Sequence, residues 1–151
     1  MPCIESKHEK DVICLSNERL EIAWLKEYEL GNDFVDSQHK RLFELVVNLS
    51  KSCHEGEDIN TLGEILDFLL QYTVQHFSDE ESLQIECNFP EYEYHKKLHE
   101  EFEATVSEKV SEFKEKGSTK DLSNTINDFV VAWLLNHILK EDMKIKDYIK
   151  S

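Results

Sequence analysis

Two pairs of side chains that commonly bind metals recur at a spacing of four residues, in segments with helical hydrophobic periodicity. His76 is followed by Glu80, and His95 by His99. Residues four apart lie one above the other on an α-helix, so each pair is aimed at one point in space. Three further donors of the same kind lie elsewhere in the chain: His39, His137 and Asp142. Four separate segments therefore carry a donor set suited to a metal site.

The apolar residues recur at intervals of three and four residues in four stretches, which predicts four amphipathic helices. Their expected ranges are about Asp36 to Cys53, from Asp58 or Asn60 to about Glu86, from Pro90 to Gly117, and from residues 118–121 past His137. Asp33 or Asp36 is expected to cap the first helix, and Gly56 to end it. Ser118 and Thr119 form a capping-box-like start for the fourth helix.

Glu80 lies on the apolar stripe of the second helix, between His76 and Leu83. An ionised carboxylate is rarely buried without a partner, because removing it from water costs much free energy. A buried cation would supply that partner. The alternative is a surface glutamate in an ordinary ion pair, which its position on the apolar stripe disfavours.

Asp142 follows His137 by five residues instead of four. On an ideal α-helix it is displaced by about 140° from the direction of His137. It must therefore reach a shared site from the helix end, through a longer approach or a local bulge. The sequence does not choose between them.

Composition and connectivity predict an all-α, up-down-up-down antiparallel four-helix bundle. The chain has 151 residues, 40% of them hydrophobic, with four Gly and two Pro. This suits one helical domain with a real core, expected at residues 21–151, preceded by a polar N-terminal arm at residues 1–20. In such a bundle the start of the first and third helices meets the end of the second and fourth, so all the candidate ligands converge.

The net charge of −15 argues against binding to nucleic acid or to an anionic membrane, since both are polyanions. No apolar run reaches the roughly 20 residues needed to span a bilayer, and no signal sequence is evident, which predicts a cytoplasmic location. The four cysteines have no Cys-x-x-Cys spacing and are expected to be free thiols: Cys3, Cys14, Cys53 and Cys87. For the two in the arm, a regulatory or intermolecular bond is conceivable.

In order along the chain, the motifs resemble those of the hemerythrin family, most closely its single-domain bacterial form. They are His39 in Val-Asp-Ser-Gln-His-Lys, His76-Phe-x-x-Glu80-Glu, His95-x-x-x-His99, and Trp-Leu-x-x-His137-Ile-x-x-x-Asp142. This resemblance implies a non-haem centre of two iron ions, oxo- or hydroxo-bridged, that binds dioxygen without acting as an enzyme. By resemblance, His95, His99 and His137 hold one iron, His39 and His76 hold the other, and Glu80 and Asp142 bridge both. The two-histidine iron keeps an open position for dioxygen.

The resemblance also implies roles for residues around the irons. Four apolar side chains are expected to form a dry wall around the open position, or to be ordinary core: Phe77, Trp133, Leu134 and Ile138. Glu81 either hydrogen-bonds a ligand imidazole or is a surface charge. Bacterial members often carry Met where this chain has Gln84, which makes the pocket more polar if it faces inward and changes nothing if it faces outward.

Two other functions use the same motifs. One is a di-iron redox enzyme that handles peroxide or nitric oxide. The other is a signalling module in which the oxygen state alters contacts of the arm with an unidentified protein partner.

Overall fold

The computed structural model describes residues 3–5, 12–14, 23–116 and 120–149. Four helices make up most of this part of the chain: α1 (Asp33–Glu55), α2 (Ile59–Glu86), α3 (Tyr92–Lys116) and α4 (Lys120–Asn136). Each helix packs on the next along the chain, and α1 also packs on α4, which closes the bundle. The predicted antiparallel four-helix bundle is confirmed.

The ends of the helices follow from local hydrogen bonds. The N-cap of α1 is Asn32, whose side chain accepts a hydrogen bond from the Val35 amide at 3.0 Å, so the expected cap at Asp33 or Asp36 is wrong. Asp36 instead accepts hydrogen bonds from the amides of Leu30 (2.6 Å) and Gly31 (3.1 Å). These bonds attach the preceding segment to α1, because the Asp36 carboxylate satisfies backbone N–H groups five and six residues earlier in the chain.

The other predicted boundaries lie within a few residues of the observed ones. Gly56 ends α1 in the left-handed conformation with φ 72°, and Asp58 caps α2 through the Thr61 amide at 3.0 Å. The first position of α3 is Tyr92, not Pro90, which lies in the turn before it. The expected cap of α4 at residues 118–119 lies outside the described residues.

The segment before α1 covers the end of the bundle where that helix starts. It contains a short 3-10 turn, Lys26–Tyr28, and buries Tyr28 and Leu30. The half-buried Trp24 packs edge-on against Phe43, with ring centroids 5.0 Å apart. Its role in the described structure is therefore packing.

Within the N-terminal arm, the structure describes two short strands, β1 (Cys3–Glu5) and β2 (Val12–Cys14). They pair antiparallel, with Cys3 opposite Cys14. Among the described residues, no helix has both the length and the apolar character needed to cross a membrane.

Candidate metal centre

The seven predicted ligands lie together inside one end of the bundle, and none is more than 3% exposed. They come from four places: His39 on α1, His76 and Glu80 on α2, His95 and His99 on α3, and His137 and Asp142 beyond α4. Their donor atoms form two groups, each contained within 4.8 Å. One group contains His95, His99 and His137, the other contains His39 and His76, and both contain Glu80 and Asp142.

Glu80 directs its two oxygens to different groups of imidazoles. Its Oε1 lies 2.9 Å from Nε2 of His95 and 3.4 Å from Nε2 of His99. Its Oε2 lies 3.0 Å from Nε2 of His39 and 3.2 Å from Nε2 of His76. One carboxylate therefore contributes a donor to each group.

Asp142 divides its oxygens in the same way. Its Oδ1 lies 2.9 Å from Nε2 of His137 and 3.0 Å from Nε2 of His95. Its Oδ2 lies 3.0 Å from Nε2 of His39. The two carboxylates thus span the same pair of positions, which is the arrangement of ligands shared by two neighbouring metal ions.

The separations between donor atoms fit metal coordination. Metal bonds to nitrogen and oxygen are about 2.1 Å long, so ligands at right angles lie about 3.0 Å apart. His137 Nε2 lies 3.1 Å from Nε2 of His99 and 3.0 Å from Nε2 of His95. Three imidazole nitrogens this close, all buried, are stabilised when a cation lies between them. The residues present therefore fit a metal site.

The other ring nitrogen of two ligands is held by a hydrogen bond. Nδ1–H of His76 donates to Oε1 of Gln38 at 2.8 Å, and Nδ1–H of His99 donates to Oε2 of Glu81 at 3.0 Å. Each bond fixes the tautomer in which Nε2 carries the lone pair that a metal needs. Gln38 is itself held by donating from Nε2 to Asp79 at 2.8 Å. Glu81 thus contacts the imidazole of a candidate ligand, His99, so it is not merely a surface charge.

A π-helical turn, His137–Glu141, brings Asp142 into the site. The Asp142 amide donates to the carbonyl of His137, five residues earlier. In this geometry residues five apart lie one above the other, as residues four apart do in an α-helix. The local bulge, one of the two routes that the sequence left open, is therefore the one observed. A 3-10 helix, Asp142–Tyr148, follows.

A model of the family described as hemerythrin HHE cation binding domain matches residues 30–149. The chain belongs to the hemerythrin family.

Proteins named as hemerythrins align with the chain over most of their length. It is 30% identical over 130 residues to a bacteriohemerythrin of Stenotrophomonas maltophilia, covering 86% of this chain and 82% of the relative. It is 32% identical over 128 residues to a myohemerythrin of Riftia pachyptila, covering 82% and 90%. A crystal structure of wild-type hemerythrin superposes with a TM-score of 0.73 at 26% identity, covering 86% of this chain and 98% of that one. The resemblance seen in the sequence is confirmed.

Burial and neighbouring carboxylates set the charges of the hemerythrin site without metal. Burial lowers the pKa of His39 and His95, but hydrogen bonds to Asp142 and Glu80 outweigh it and raise both to about 10. For His76 burial dominates, so its pKa is lowered. Burial raises the pKa of Glu80 and Asp142, but their imidazole partners outweigh it and hold both low. Burial lowers the pKa of His99 too, but hydrogen bonds to Glu80 and Glu81 outweigh it and raise that pKa. Without metal, the imidazolium ions of His39 and His95 therefore face the carboxylates of Glu80 and Asp142.

Aromatic rings cover the imidazoles of the three-histidine group. Phe77 stacks on His99 at 3.8 Å between centroids and 2° between planes, and Trp133 stacks on His137 at 4.4 Å and 10°. The two covering rings meet edge-on at 5.9 Å. Phe77 is buried, as are the expected pocket residues Leu134 and Ile138, whereas Trp133 is half-buried.

Sequence reasoning missed one residue at the site and left the direction of a second one open. Gln38 precedes a predicted ligand but falls off the apolar stripe, so nothing marked its hydrogen bond to His76. Leu83 was predicted to lie on the inward-facing apolar stripe of the second helix, but it is only half-buried, whereas Gln84 is fully buried. The spacing of four residues from Glu80 was the available signal for Gln84.

The remaining described histidine and cysteines lie outside both donor groups. His54 is exposed at the end of α1. Cys53 and Cys87 are free thiols, as predicted. Burial raises the pKa of Cys53 to about 11, so this thiol is a poor nucleophile at neutral pH.

Proposed function

We propose that this protein binds dioxygen reversibly at a non-haem centre of two iron ions. The observation that carries the proposal is the division of both carboxylates between two groups of imidazoles. Glu80 and Asp142 each place one oxygen toward the three-histidine group and the other toward the two-histidine group. When bound, the two ferrous ions supply the electrons that hold the gas.

The two groups offer unequal numbers of protein donors. With one oxygen from each carboxylate, the three-histidine group supplies five donors and the two-histidine group supplies four. An octahedral ion in the smaller group therefore has one more position that no protein atom fills. We place the dioxygen site on the side of His39 and His76.

The donor set favours carriage over oxidation chemistry. Five neutral imidazoles and two carboxylates give it a charge of only about −2, which stabilises Fe²⁺ relative to Fe³⁺ better than a carboxylate-rich set would. Phe77 and Trp133 stack on the imidazoles of the three-histidine group. Together with the buried Leu134 and Ile138 they surround that side of the site with apolar surface, which limits the access of water. We therefore propose a binding protein and not an enzyme.

We also propose the bounds of the functional domain and the cellular location. We place the functional domain at residues 21–151, consistent with the family match to residues 30–149, and the arm at residues 1–20. The cytoplasmic location is a prediction of the sequence.

Iron reconstitution tests the function. The full-length chain is loaded with Fe²⁺ without oxygen, and its absorption spectrum is followed through cycles of air and inert gas. We expect about two irons per chain and a coloured oxygenated form that appears in air and disappears under inert gas. A colourless or iron-free product, or rapid turnover of added peroxide, contradicts the proposal.

A further inference from the structure

Gln84 is a buried amide with no hydrogen-bond partner. Its side chain is 0% exposed, and neither Nε2 nor Oε1 bonds to any described residue. Leaving such a group unpaired inside a protein is costly, so native structures satisfy nearly all of them with protein or with water.

The position of Gln84 relates it to the metal centre. It follows Glu80 by one helical turn on α2, so the two side chains lie on the same face about 6 Å apart at Cβ. Phe77 lies on the other side of Glu80, three residues earlier, and is apolar. The same helix therefore gives the bridging carboxylate an apolar neighbour on one side and a polar neighbour on the other.

Another unpaired polar atom belongs to His39, a candidate ligand beside Glu80. Nδ1 of His39 is buried and has no partner among the described residues, while its Nε2 lies 3.0 Å from Glu80. Metal-bound imidazoles almost always donate their second N–H to a carboxylate, a carbonyl or a water. This region therefore has more polar hydrogen-bonding capacity than the described protein groups satisfy.

A buried water satisfies the unpaired amide of Gln84. Buried waters typically make two to four hydrogen bonds to polar groups that would otherwise be unsatisfied. The amide of Gln84 offers both a donor and an acceptor to one water molecule.

We propose that Gln84 holds a buried water beside the metal centre, and that this water delivers protons to it. This inference rests on the proposed function. Irreversible loss of bound gas follows 2 Fe²⁺ + O₂ + 2 H⁺ → 2 Fe³⁺ + H₂O₂, in which the two ferrous ions are oxidised, dioxygen is reduced and the protons come from solvent. Gln84 is thus a positioning residue that makes this loss faster than an apolar side chain would.

The first test detects the water directly. The full-length chain is loaded with Zn²⁺, which is diamagnetic, and magnetisation transfer from water to the Gln84 side-chain amide is measured by NMR. We expect magnetisation transfer from water to the Gln84 amide, which an amide buried without water would not show. If the Gln84 amide shows no transfer while exposed glutamine amides do, the water is not there and the inference is wrong.

The second test measures what the water does. Gln84→Met keeps the length of the side chain and removes both polar atoms, and Gln71→Met makes the same change at an exposed position of α2. We expect Gln84→Met to slow the loss of oxygenated protein several-fold, to weaken its acceleration at low pH and to lower its solvent isotope effect in D₂O. Gln71→Met should match the wild type in all three.

The outcomes separate this inference from the proposed function. Water transfer at Gln84 with no oxygenated form in any variant overturns the proposed function and, with it, proton delivery, although the water site stands. A reversible oxygenated form whose loss rate, pH profile and isotope effect are the same in Gln84→Met and wild type overturns proton delivery alone. If Gln84 has only a structural role, Gln84→Met changes the melting temperature and leaves the isotope effect as in the wild type.

Discussion

The two halves of the bundle core are built from different chemistry. The metal half contains the seven candidate ligand residues, all at most 3% exposed. The apolar half, at the other end of the helices, is filled by aliphatic and aromatic side chains at most 7% exposed, among them Leu49, Leu62, Leu66, Val110, Phe113 and Ile126. The apolar half gains its stability from burial of apolar surface. The metal half buries polar donors that are fully compensated only when cations are present.

Removing metal should therefore lower the local stability of the metal half and leave that of the apolar half unchanged. Core substitutions in the apolar half should lower its stability and leave metal binding unchanged.

The largest effect is expected from removing the metal. A ligand present at about 1,000 times its dissociation constant stabilises the folded state by about 4 kcal/mol, which a chelator abolishes. Hydrogen exchange should accelerate first around the ligands on α2 and α3 and in residues 137–148, with slower change around residues 62–69. Equal acceleration in both halves would show that the halves are not distinct.

Substituting the shared carboxylate should come next. Glu80 contributes an oxygen to both groups of imidazoles, so Glu80→Ala should remove both metals. His39→Ala removes a donor from the two-histidine group alone and should leave about one metal per chain. Metal content measured by mass spectrometry decides this, with the exposed Glu44→Ala as a control that keeps two. Equal losses in Glu80→Ala and His39→Ala would argue against a shared ligand.

A cavity in the apolar half should cost stability without costing metal. Leu66 is 3% exposed, and Leu→Ala changes at such sites destabilise proteins by about 2–5 kcal/mol. Urea unfolding of the loaded protein should show this loss at unchanged metal content. Loss of metal in folded Leu66→Ala would mean that the halves are coupled.

A smaller effect is expected at Gln38, which orients His76 through a 2.8 Å hydrogen bond. Loss of such a partner typically lowers metal affinity by about 10–100-fold. Gln38→Leu should show this by competition with a chelator, and Gln38→Glu, which restores an acceptor, should recover part of it. Unchanged affinity in Gln38→Leu would exclude an orienting role.

The metal half should also show a pH dependence that the apolar half lacks. His39 and His95 have pKa values of about 10 without metal, above the ordinary 6.5, so both are protonated at neutral pH. Their contribution to metal-free stability is complete below pH 6.5 and is lost as pH rises through 10. The two imidazoles belong to different donor groups, so each metal ion must displace one proton, and the affinity for each ion should rise by about tenfold per pH unit between 7 and 9. Calorimetry in buffers of different ionisation enthalpy counts these protons, and a count of zero would contradict the charge assignment.

The sequence predicted what depends on periodicity and spacing, and missed what depends on tertiary contacts. His76, Glu80, His95 and His99 were predicted because helical spacing alone puts each pair on one face. The route of Asp142 was not predictable, since a π-helical turn has no local signature in His137–Glu141 and is stabilised by contacts at the site. The sequence left open whether Gln84 faces inward, because residues three and four after Glu80 both lie near its face and packing selects between them.

Anomalous scattering at the iron absorption edge tests the central claim most directly. In crystals of the iron-loaded protein, we expect two peaks, one among His95, His99 and His137 and the other beside His39 and His76. Glu80 and Asp142 should each lie between the peaks, with one oxygen toward each, as their donor distances indicate. A single peak, or no peak within the bundle, would contradict the account.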